Sequence, residues 1–139
     1  NTHIMSTILI DNSLDIRWRS KYNEDIDLSL RVLKDGDCTI LFNAFLQGKS
    51  ATQTVKGGNT EEVYQADQLD YEDTTREKTM VLVNLHPEHV KPVKRYGRWH
   101  HHVNYEPFQK TRLQFRDDFV MPKEPNNYGM KLVKRIADV

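Results

Sequence analysis

The chain has 139 residues, a single cysteine and 20 acidic against 20 basic side chains. That length suits one domain and is short for two, and a lone cysteine excludes an internal disulfide and fits a reducing, intracellular and cytoplasmic setting. No apolar run approaches the roughly 18 residues a spanning helix needs, so the sequence predicts a protein that is not integral to a membrane.

The reading is therefore one domain over residues 1–139, with residues 1–4 as a processing or expression remnant ahead of Met5. Charge is uneven along it. Residues 1–78 carry 14 acidic and 9 basic side chains, residues 79–139 carry 6 and 11. A basic second half is suited to an acidic partner or to self-association.

In chain order, Thr7–Ile10 is a short branched run closed by the turn formers Asp11, Asn12 and Ser13. Leu14, Ile16 and Trp18 alternate with polar residues, as in a strand with one buried face. Ile26, Leu28, Leu30 and Val32 repeat that alternation, Asp35-Gly36 is a favoured hairpin dipeptide, and Cys38–Leu46 supplies a partner strand. Residues 26–46 thus predict an antiparallel hairpin. Residues 47–60 are rich in Gly, Ser, Thr and Lys and read as loop, and Glu61–Ala66 as a short strand. Asp67–Lys78, with five carboxylates, reads as a solvated loop or turn of helix, and nearly apolar Met80–Leu85 as a central strand.

Pro87 and Pro92 interrupt regular pairing. Alternation resumes over 98–105, with Trp99, His101, Val103 and Tyr105 on the inward face and Arg98, His100, His102 and Asn104 on the outward one. A further strand is read over 111–116, and in the tail from Tyr128 to Val139 a helical stripe fits better than a strand. The predicted class is mainly β: an antiparallel β-sandwich or small barrel with a short C-terminal helix.

Five of the six histidines lie between Leu85 and Arg116. His100 and His102 project from one strand face, and Glu106 follows at His-x-His-x3-Glu spacing, which supplies two imidazoles and a carboxylate for zinc or iron. His86 and His89 are further candidate ligands. The run from His100 to Glu106 resembles the first metal motif of the cupin barrels. The resemblance covers those seven residues, with Lys94 and Leu113 where that family has glycines, and its second motif is not detectable. It implies a metal held inside a barrel, whereas the alternation puts His100 and His102 on the polar face. No cofactor is firmly implied.

Residues 91–116 hold seven Lys or Arg against one acidic residue, interleaved with aromatics, a composition also found in single-strand nucleic-acid binders. The balanced overall charge and the inward placement of Trp99 and Tyr105 weigh against that use. The leading expectation is a non-enzymatic binding or assembly module. It would engage a protein partner, or a second copy of itself, through Lys91, Lys94, Arg95, Arg98, Lys110 and Arg112. A metalloprotein or metal-dependent enzyme comes second and a nucleic-acid binder third.

Overall fold

A computed structural model describes residues 1–42, 47, 48, 50, 71–110, 114, 116–131 and 133. Among the described residues, two helices and one hairpin carry the regular structure: α1 (Glu24–Lys34), α2 (Tyr71–Leu85), β1 (Val90–Arg95) and β2 (Arg98–Val103), followed by a 3-10 turn over Glu106–Phe108. The sheet has two antiparallel strands, from Val90 opposite Val103 to Arg95 opposite Arg98. It is not closed. This corrects the expected β-sandwich or barrel to a small mixed α/β arrangement. No helix among the described residues is long and apolar enough to cross a membrane.

The correction begins at α1. Its alternating apolar residues also contain Ile26, Leu30 and Leu33 at helical spacing, and these three enter the core. The carboxylates of Glu24, Asp25 and Asp27 occupy the first turn and Arg31 and Lys34 the last, which complements the helix dipole. Asn23, in a left-handed conformation at the N-cap, uses its side-chain amide to donate to the Lys78 carbonyl on α2 (2.9 Å).

The Asp35-Gly36 pair ends the helix instead of turning a hairpin. Gly36 has φ +92° and donates to the Leu33 carbonyl (3.3 Å), while Asp37 donates to that of Val32 (3.2 Å). Those two bonds form a Schellman cap. Hairpin turn and helix cap both call for a residue at positive φ, so the dipeptide alone does not distinguish them.

Met80–Leu85, expected as a strand, is the last part of α2. The buried stripe of this helix is Thr75, Thr79 and Leu82, continued by His86 just past its end. Three of those four side chains are polar, so apolar periodicity underreports the face. The core is Ile26, Leu30 and Leu33 from α1, Leu82 from α2, Val90 from β1, and Phe108, with Val83, Val103 and Tyr105 packed beside it.

The hairpin turns at Tyr96-Gly97, both at positive φ (53° and 72°), the twist that suits a two-residue connection. Pro92 is accommodated because each strand of a two-stranded sheet has an open edge where a missing N–H goes unnoticed. No helix or strand is assigned over the described residues before Glu24, so the strands read over 7–10 and 14–18 do not form. The described part of the 38–46 strand, Cys38–Phe42, is likewise without a sheet partner. The elements read at 61–66 and most of 111–116 lie outside the described residues, as does most of the terminal helix, whose described positions 128–131 and 133 are not helical.

A Cβ on Gly36 would meet nothing within 4 Å, so only its backbone angle resists substitution. Gly36→Ala is expected to cost about 1–2 kcal/mol, and Gly36→Asn less, measured by urea unfolding. A cost near zero for Ala would contradict the helix cap.

Candidate functional sites

Asp27 and His86 are both 1% exposed, and each would be costly to bury alone. They meet through His86 Nε2 and Asp27 Oδ1 at 2.7 Å. Arg19, from the segment before α1, closes on the same carboxylate. Its Nη2 donates to Oδ1 at 2.8 Å, and its Nε lies 3.2 and 3.1 Å from the two oxygens. Arg31, one helical turn along, has Nη1 3.8 Å from Oδ2 and donates to the Arg17 carbonyl (2.7 Å).

Burial alone would raise the Asp27 pKa, but the Arg19 and His86 hydrogen bonds outweigh it and hold the carboxyl below its ordinary value. Burial lowers the His86 pKa, and the positive fields of Lys34 and Arg19 add to that against the pull of Asp27. The pair at neutral pH is a carboxylate bonded to a neutral imidazole, with Arg19 as counterion. The Nε2 proton faces Asp27, leaving Nδ1 as a buried lone pair with no partner among the described residues. Full burial keeps this pair from substrate and makes it a clamp between α1 and the end of α2. Sequence reading placed Asp27 on the polar face of a strand and left Arg19 without a role.

The histidines proposed as metal ligands are spread out. His86 is committed to Asp27, and His89 packs against Phe108 with ring centroids 4.9 Å apart. His100 accepts from Arg98 Nε (3.0 Å), and His102 is exposed opposite Lys91. Glu106 is exposed in the 3-10 turn. Among the described residues no three His, Cys, Asp or Glu side chains group as a metal site.

Of the basic residues, Lys94 pairs with Glu72 at 2.6 Å and lies over Trp99, and Arg98 is half-buried beside His100. Lys91, Arg95 and Lys110 are exposed, and Arg112 lies outside the described residues.

A feature that sequence reading missed is a cleft of about 420 Å³ between residues 2–9 and 39–42. Thr39 holds its sides together: its hydroxyl accepts from the Thr2 N–H (2.9 Å) and donates to the Thr2 carbonyl (2.6 Å). Ile4, Ile8, Leu9, Ile40, Leu41 and Phe42 make the lining apolar, and Leu9 is 99% exposed. His3 is the one ionisable side chain among the described residues of that lining.

This cleft lies within a stretch that matches a known family. Residues 1–58 match the family model described as TET-Associated Glycosyltransferase. No curated protein and no solved structure matches the chain. The match suggests a glycosyltransferase-related family, and it supports neither the binding-module reading nor the metalloprotein reading.

Two outcomes test the clamp. Arg19→Ala strands a buried carboxylate and is expected to cost about 3–5 kcal/mol. Asp27→Asn leaves a half-exposed Arg19 that water can solvate, and should cost about 1.5–3 kcal/mol. The reverse order in urea unfolding would count against the clamp.

The second outcome concerns pH. His86, His100 and His101 all have lowered folded-state pKa values, so below about pH 6.5 the unfolded chain binds protons that the folded chain excludes. Stability should be complete above that point and fall as pH drops, with Asp27 adding to the loss below about pH 4. His86→Gln should shrink the fall in urea midpoint between about pH 7 and about pH 5. A wild-type midpoint that stays level over that range would contradict a neutral buried His86.

Proposed function

We propose that this chain is part of a glycosyltransferase and that the cleft between residues 2–9 and 39–42 receives a substrate. One observation carries the reading: all of the cleft's described lining residues fall inside the stretch matched by the glycosyltransferase family model. The volume is within the usual range for small-molecule sites, about 300–1,000 Å³.

Transfer of a glycosyl group from an activated donor requires that water be kept from competing as acceptor, and an apolar lining favours that. It is also assisted by a base that takes the acceptor's proton as the acceptor oxygen bonds to the anomeric carbon and the donor's leaving group departs with the electron pair of the broken bond. His3 is the side chain placed to do so. Thr2 Oγ1 lies 3.5 Å from its Nδ1, and its ring is 6.1 Å from that of Tyr105.

The test is incubation of the protein with a panel of activated sugars, following donor consumption by chromatography and the cleft residues by NMR. Donor consumption with shifts at Thr39–Leu41 is expected. His3→Ala should reduce turnover by about 10²–10⁴-fold with donor binding retained. If no donor is consumed and none perturbs the cleft, the reading fails.

A further inference from the structure

His3 lies in a segment with no helix or strand, so no ladder of backbone bonds holds it. A base acts only while it is held in place, since a misplacement of about 1 Å can cost about a hundredfold in rate. Something else must fix this imidazole.

The backbone around it is anchored by polar contacts. The Asn1 side-chain amide donates to the Phe108 carbonyl at 2.6 Å, and the Gln109 amide donates to the Asn1 carbonyl at 3.2 Å. Thr2 is bonded through both of its backbone groups to the Thr39 hydroxyl, and the Ile4 N–H to Ser29 Oγ. These bonds bracket the His3 backbone but leave its side chain able to change rotamer. The 3.5 Å approach of Thr2 Oγ1 to Nδ1 is a weak restraint.

The ring that meets the imidazole is that of Tyr105. Their centroids are 6.1 Å apart and their planes 30° from parallel, within the range of offset aromatic pairs. Tyr105 is itself fixed. It packs beside the core, and its carbonyl accepts from the Phe108 N–H at 3.1 Å. Its hydroxyl is buried with no hydrogen-bond partner among the described residues, so the ring makes the contact. A side chain held by the core thus lies against one that the core does not reach.

We propose that Tyr105 is a positioning residue for His3, its ring holding the imidazole at the wall of the apolar cleft. The inference rests on the reading of His3 as the base. It adds that the site depends on a residue outside the matched stretch 1–58.

The experiment joins NMR of the whole chain with turnover of an activated sugar. Nuclear Overhauser contacts between the His3 and Tyr105 rings are expected in the wild type. Tyr105→Phe should keep those contacts and most of the turnover. Tyr105→Leu, or Tyr105→Met if thermal melts show that the first does not fold, should lose the contacts. Its kcat should fall by about tenfold to a hundredfold, with the donor KM within about twofold.

A merely structural role is separated by the double variant. His3→Ala with Tyr105→Leu should turn over no more slowly than His3→Ala alone, because residues acting through one another are not additive. Further loss in the double variant, equal loss in Tyr105→Phe and Tyr105→Leu, or no ring contacts in the wild type would overturn the proposal. A wild type that keeps the ring contacts but consumes no donor refutes the glycosyl-transfer reading and supports the positioning of His3. One that consumes donor without the contacts does the reverse.

Discussion

The arrangement depends on the buried carboxylate of Asp27. A charge taken out of water is tolerated only where its lone pairs are met, and Arg19 and His86 meet them from segments before and far after it in the chain. The bond to His86 spans 59 residues and fixes the end of α2 against α1. His86 then passes the constraint along the backbone. Its carbonyl accepts from the N–H groups of His89 and Val90, so β1 starts where the clamp ends.

With both helices placed in this way, the hairpin lies across α2. The Trp99 N–H reaches the Thr75 hydroxyl at 3.3 Å, and Val103 packs beside the core. The same packing leaves a small polar cavity at the α2–β2 junction, where a stripe of threonines meets a strand of histidines. The first segment is attached by polar contacts. The Ile4 N–H donates to Ser29 Oγ at 3.1 Å, and the Asn1 amide donates to the Phe108 carbonyl at 2.6 Å. Its apolar residues therefore remain at the surface and line the larger cleft. Two cavities of different lining result, one apolar within the family-matched stretch and one polar, lined mainly by residues beyond it.

Legibility in the sequence followed the physics of each element. The strand over 98–105 could be read because its sequence alternates, and β2 occupies 98–103, but the expected faces are corrected: Arg98 and His100, read as outward, are half-buried like Trp99 and His101, and within β2 only His102 is exposed. The segment from Ile26 to Val32 misled because Ile, Leu, Leu and Val two apart satisfy a strand, while Ile26, Leu30 and Leu33 equally satisfy a helix. The terminal charges of α1, acidic first and basic last, were the signal that separated the two. In α2 the buried face is threonine-rich, so hydropathy marked only its final apolar turns and suggested a strand. The histidine cluster was visible as composition, but its members are used separately, in a clamp, against Phe108 and on the hairpin.

What the chain determined by itself was local. It set the charge asymmetry, the single cysteine, the glycine at positive φ after Lys34 and the alternation of β2, because each depends on neighbours within a few residues. The tertiary structure decided the rest. Whether Asp35-Gly36 caps a helix or turns a hairpin depends on where the chain before it packs. Whether Asp27 is a solvated charge or a buried clamp depends on Arg19 and on a histidine 59 positions away. Both cavities are likewise made by residues distant in sequence, and no spacing rule relates side chains that meet only after the chain has folded.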